Sequence, residues 1–103
     1  MRILIIGSLS DELGKAAKIV LARGAYVDHA ETNEYAINKI CSYGDYKFII
    51  CSVRENITVL VKALERERIA VPVLACGPED PAIAADAIAN GAEDYIPLPP
   101  DPD

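Results

Sequence analysis

The sequence has no tryptophan, one phenylalanine and one histidine. With 51% of its residues apolar, its core must be aliphatic, built of Ile, Val, Leu and Ala. Only three cysteines occur, Cys41, Cys51 and Cys76. Their odd number and lack of paired spacing exclude a secreted disulfide scaffold. A lone His29 beside Asp28 and Glu31 is too small a set for a metal site, which needs more ligands at suitable spacing. There is no Gly-rich phosphate motif and no Walker lysine. The apolar run Ile3-Leu4-Ile5-Ile6 is too short for a signal peptide or a membrane span, so a cytoplasmic location without membrane contact is expected. Basic residues are outnumbered, and the formal net charge is −6. They are also scattered, so a phosphate-neutralising nucleic-acid surface is not expected. Acidic residues gather late in the chain, at Glu79, Asp80, Asp86, Glu93, Asp94, Asp101 and Asp103.

What is present is one domain's length, 103 residues, with short apolar runs alternating with helical spacing. Arg2 to Ile6 reads as a strand covered on both faces, ending at Gly7-Ser8. Leu13, Ala16, Ala17, Val20 and Leu21 recur at helical spacing from a start near Ser10, and Gly24 ends that helix. Ala25 to His29 is a more polar strand suited to an edge. Thr32 or Asn33 caps a second helix that buries Ala36, Ile37, Ile40 and Cys41. Lys47 to Cys51 is a third strand. Asn56 caps a helix through Ile57, Leu60, Val61 and Leu64, whose other side carries Lys62, Glu65, Arg66, Glu67 and Arg68 as a solvated face. Val71 to Cys76 is a fourth strand with Pro72 near its beginning. Asp80-Pro81 is a cap followed by proline in the first turn. Ala84, Ala85, Ile88 and Ala89 form a small-residue stripe, and Asn90-Gly91 ends the helix. Tyr95-Ile96 opens a fifth strand that Pro97 and Pro99-Pro100 stop. The alternation predicts an α/β fold, a doubly wound five-stranded parallel sheet with helices on both faces. No fifth helix follows. The domain is therefore expected to fill residues 1–103 and to continue beyond Asp103 in a longer chain, or to be covered there by a partner.

Val71-Pro72-Val73-Leu74, followed by Ala84-Ala85-Asp86-Ala87-Ile88-Ala89-Asn90-Gly91-Ala92-Glu93-Asp94-Tyr95-Ile96, resembles the receiver domain of bacterial response regulators, over essentially Arg2 to Pro100. The resemblance implies a flavodoxin-like sheet of order 2-1-3-4-5 with its site at the carboxyl ends of the strands. It also places the family's functional positions. The metal-holding acidic pair falls on Gly7 and Ser8, the phosphoacceptor on Ser52, and the phosphoryl-sensing hydroxyl on Gly77. The lysine falls on Leu98, and its following proline, usually joined by a cis peptide, on Pro99. The aromatic switch position is kept as Tyr95. Aspartyl phosphorylation needs carboxylates for a hard cation and a cation for the transferred phosphate. Gly7, Ser8, Ser52, Gly77 and Leu98 supply neither, so the resemblance implies a pseudo-receiver without a catalytic, cofactor or metal site.

Gly7-Ser8-Leu9, Val71 to Gly77 and Tyr95 to Pro100 are similar to FlbD-type sigma-54-dependent activators of flagellar genes. That likeness implies attached ATPase and DNA-binding modules in a parent chain, and a regulatory protein docked on the receiver-like domain. The expected contact face, for such a protein or for a homodimer, is Asp86, Ala87, Asn90, Glu93 and Tyr95. Two other readings compete. One is a small-ligand or thiol sensor using a crevice near Gly7, Cys51 and Cys76. The other is a flavodoxin-like enzyme, for which no base, nucleophile and orienting group emerge together. The cysteines themselves read first as core residues, with Cys51 and Cys76 ending neighbouring strands.

Overall fold

A computed structural model of the chain describes residues 1–7, 12–43 and 45–98. The elements run β1 (Arg2–Ile6), α1 (Glu12–Ala22), β2 (Tyr26–Ala30), α2 (Asn33–Tyr43), β3 (Phe48–Ser52), α3 (Ile57–Arg66), β4 (Val73–Pro78), α4 (Pro81–Ala89) and β5 (Asp94–Leu98). The strands form one sheet in the order β2-β1-β3-β4-β5, and every pair is parallel. Each helix is thus a crossover between parallel strands, which short hairpin turns could not provide.

The pleat sends alternate residues of each strand to opposite sides. Leu4 and Ile6 of β1 point to a core that also holds Ile49, Cys51, Val73 and Ala75, closed by Ala36 and Ile40 of α2, Leu60 and Leu64 of α3, and Ala87 of α4. Ile3 and Ile5 point to a smaller core with Ile50 and Cys76, to which α1 contributes Ala17. Phe48, Ile96 and Leu98 complete that second side and remain partly exposed.

Several local signals act as the sequence predicts. The Asn56 side chain accepts from the Val59 amide at 3.1 Å and starts α3. Asp80 accepts from the Ala82 amide at 2.9 Å, with Pro81 in the first turn of α4. Thr32 caps α2 through its hydroxyl, 3.4 Å from the Tyr35 amide. The polar strand β2 lies at an edge. The glycines Gly24 and Gly91 take φ of +87° and +115° at the ends of α1 and α4, where a side chain would be strained.

Other expectations shift. β4 begins at Val73 and runs to Pro78, two residues later than expected, because Pro72 has no amide for the ladder and lies before the strand. Pro97 does not stop β5 but pairs with Gly77 inside it, which an edge strand tolerates. Cys41 is exposed, since Ala36 and Ile40 fill the buried stripe of α2 and Cys41 falls beside it. Leu21 is also exposed on α1. The Leu98–Pro99 peptide, expected to be cis, lies outside the described residues.

At the amino-terminal ends of the strands, the buried Tyr46 hydroxyl donates to Asp28 at 2.6 Å, and Arg2 lies 3.9 Å from the same carboxylate. This polar tie joins β1, β2 and the segment before β3 at the end of the sheet remote from the candidate site.

Candidate functional site

The parallel sheet brings the carboxyl ends of β1, β3, β4 and β5 to one rim. Gly7 follows β1 and Ser52 ends β3, each one residue past the paired Ile6 and Cys51. Gly77 pairs with Pro97 and Pro78 with Leu98. The fold therefore sets Gly7, Ser52, Gly77 and Leu98 at the carboxyl ends of their strands, while Ser8 lies outside the described residues.

Each of these positions is already engaged. Gly7 has φ of +132°, its amide donates to the Ala30 carbonyl at 2.9 Å, and His29 Nε2 bonds to its carbonyl oxygen. The Ser52 hydroxyl accepts from the Arg54 amide at 3.2 Å, and its carbonyl accepts from Glu55 at 3.0 Å. Both bonds are local and fold the chain into the turn before α3. Leu98 packs against the smaller core instead of presenting a charge to the rim. Among the described residues no group of three or more His, Cys, Asp or Glu side chains could hold a metal ion.

Gly77 is the most crowded position. A Cβ added there would lie 2.6 Å from Val53 Cγ2 and 2.7 Å from the Tyr95 hydroxyl oxygen, closer than real Cβ contacts come. The space above Gly77 is thus filled by Tyr95 and Val53. The Tyr95 hydroxyl donates to the Pro78 carbonyl at 2.6 Å. Burial, then Cys76 and Asp80, raise the pKa of Tyr95 above its ordinary value of 10.0.

Of the residues expected at a contact face, four are accessible and one is buried. Asp86 and Asn90 are exposed on α4 and linked by a 3.4 Å hydrogen bond. They form one wall of an open groove of about 790 Å³, whose other wall is the turn from Val53 to Ile57. Glu93 is exposed and Tyr95 half-buried. Ala87 does not belong to this face: it is 3% exposed and packs into the larger core. Ala85, Ile88 and Ala89 are exposed on α4 instead.

The thiol reading is also corrected. Cys51 is level with Ala75, and Cys76 with Ser52, so the two cysteines are one residue out of step. They consequently point to opposite sides of the sheet, in different cores. Burial, with smaller contributions from Cys76 and Glu55, pushes the Cys51 thiol up to about 12, far from the reactive thiolate. Sequence reasoning missed Val53 and Tyr95 as the side chains over Gly77, and Pro78 as the hydrogen-bond partner of Tyr95. The available signal was Gly77 itself, since glycine inside a strand often marks a close approach by another group.

No family model matches the chain. The chain is 42% identical over 102 residues to the transcriptional regulatory protein FlbD of Caulobacter vibrioides, covering 98% of this chain and 22% of that protein. It thus spans about a fifth of that relative's length. Among solved structures, a two-component response regulator from Clostridium difficile superposes with a TM-score of 0.74 at 25% identity, covering 94% of this chain and 82% of that one. An atypical orphan response regulator, described as revealing a phosphorylation-independent regulatory mechanism, superposes with a TM-score of 0.70 at 22% identity, over 94% and 81% of the two chains. No described helix is long and apolar enough to cross a membrane.

Proposed function

From the premise that this chain is a receiver-like domain closely related to the amino-terminal domain of FlbD, we propose that it regulates by protein contact, without phosphorylation, through α4 and β5. The observation that carries this is the rim: Ser52 stands at the end of β3 with its hydroxyl bound to a turn amide, and Gly7, Gly77 and Leu98 offer no carboxylate or cation. A phosphoryl group would find neither an acceptor that a metal can activate nor a cation to neutralise it. Beside that rim, α4 and β5 leave Ala85, Asp86, Ile88, Ala89, Asn90 and Glu93 exposed and Tyr95 half-buried, which supports a contact role for them.

The partners in this reading are a regulatory protein, a second copy of the chain, or both. Attached ATPase and DNA-binding modules of a longer cytoplasmic activator would receive the signal. No nucleic acid touches the domain itself. A sensor that bridges Cys51 and Cys76 is disfavoured by their opposite orientation.

The test has two arms. Acetyl phosphate with Mg²⁺ should leave the mass unchanged; a stoichiometric adduct lost in base would overturn the reading. Ala85→Arg, at an exposed position, should leave the circular dichroism spectrum intact and weaken self-association in sedimentation velocity. A folded variant that associates like the parent chain would remove this face as a homodimer contact.

A further inference from the structure

In a parallel sheet a strand turns alternate residues toward each of its two sides. The Tyr26 amide donates to the Met1 carbonyl at 2.8 Å, and the Ala30 carbonyl accepts from the Gly7 amide at 2.9 Å. Tyr26 is level with Arg2 and Ala30 with Ile6, so Tyr26, Asp28 and Ala30 turn their main chain toward β1. Val27 and His29 turn theirs the other way, and β2 is an edge strand. Among the described residues no backbone group bonds to the amide or carbonyl of Val27 or His29. Two donors and two acceptors thus lie along an open edge, spaced for one more strand. Beside that edge is an open groove of about 560 Å³, walled by the end of β2 and by one stripe of α2, Tyr35, Asn38, Lys39 and Ser42. Tyr35 is 64% exposed. Lys39 is half-buried and forms no ion pair among the described residues. A strand laid on the edge would send alternate side chains toward this groove and the others to the opposite side, where Val27 is half-buried against the smaller core.

We propose that the open edge of β2 is a docking site for an extended segment of a partner protein, which joins the sheet as a sixth strand with apolar residues toward Val27 and a carboxylate toward Lys39. The backbone groups of Val27 and His29 hold the segment whatever its sequence. Lys39 and Val27 select its alternation of acidic and apolar side chains. A second copy of the chain fits this edge less well. Antiparallel pairing that matched Val27 with His29 would set two Asp28 residues directly opposite each other, between chains that each carry a net charge of −6. The site lies on the far edge of the sheet from β5 and does not depend on α4 and β5 being a contact face.

The probe is a synthetic peptide of alternating valine and glutamate, set against its valine–lysine counterpart and against the glutamate peptide N-methylated at every amide. Amide hydrogen exchange at Val27 and His29 should slow about tenfold once about nine-tenths of the chain is bound to the glutamate peptide. The N-methylated peptide, which cannot donate along the edge, should give no protection. Lys39→Glu, checked for folding by circular dichroism, should weaken the glutamate peptide by up to about fivefold and favour the lysine peptide. Unchanged exchange at Val27 and His29 at millimolar glutamate peptide overturns the proposal, and so does protection confined to the stretch from Ala85 to Glu93. Protection at Val27 and His29 that rises with protein concentration alone overturns it in favour of a second copy. An unaltered preference for the glutamate peptide in folded Lys39→Glu overturns the acidic character assigned to the partner.

Discussion

The two sides of the sheet are covered unequally. On one side α2, α3 and α4 pack over Leu4, Ile6, Ile49, Val73 and Ala75, all of which are buried. On the other, α1 contributes Ala17 and a half-buried Val20, and Phe48, Ile96 and Leu98 are left half-buried. The strands contribute comparable aliphatic residues to both sides. The difference lies in how many of the described helices lie on each side, so burial here follows topology more than composition. The side with three helices also carries α4, one of the two elements of the proposed contact surface. Stability and the proposed contact surface are consequently built from the same layer.

The sharpest break of this contrast is a charge placed inside the thick layer. Ala87→Arg should unfold the domain or cost at least about 3–5 kcal/mol, as an unpaired buried charge does. Ala85→Arg, two residues away and exposed, should stay within about 0.5 kcal/mol of the parent in urea denaturation. Equal losses at both positions would mean that α4 is turned differently on the sheet. A milder comparison sets Leu60→Ala against Ile96→Ala. Leu60 is fully buried and its truncation should cost about 2–5 kcal/mol, whereas half-buried Ile96 should cost about half of that or less. A larger loss at Ile96 would show the thin side to be the better covered one in solution.

The smallest effect is alkaline. Cys51, in the thick layer, has its thiol pushed to about 12 from an ordinary 9.0. Between these values the folded chain keeps a proton that the unfolded chain releases, so stability falls as pH rises, by at most about 1.4 kcal/mol per pH unit. Denaturation midpoints measured from pH 8 to 10.5 should therefore decline less steeply in Cys51→Ala than in the parent. Matching slopes would place Cys51 in a wetter setting than the fold gives it.

Much of this was legible before the fold was known. Asp80-Pro81, Asn56 and Asn90-Gly91 mark helix ends by side-chain chemistry that acts locally, and the structure uses all of them. Strand order followed from the resemblance, and the polar character of Tyr26 to Ala30 agreed with its edge position. The errors fall where a single residue's offset decides the outcome. Whether Cys51 and Cys76 share a side depends on register, which no local signal at either cysteine encodes. The sequence does not mark Ala87 as core, because α4 is almost uniformly small and apolar and offers little contrast by which to orient it. The Tyr95–Pro78 contact joins residues 17 apart in sequence, through space that is visible only once β4 and β5 lie side by side.

The strand order has a kinetic consequence. Counting outward from β1, the chain adds β2 on one side, β3 on the other, then β4 and β5 in turn. During synthesis each new strand meets a free edge, and none has to be inserted between two that are already joined. Every pairing still waits for an intervening helix, so no two strands can zip together as neighbours in sequence and assembly is slower than in a helical bundle of this size. But growth is sequential, and β5, with Tyr95, closes onto a sheet whose other four strands all precede it in the chain.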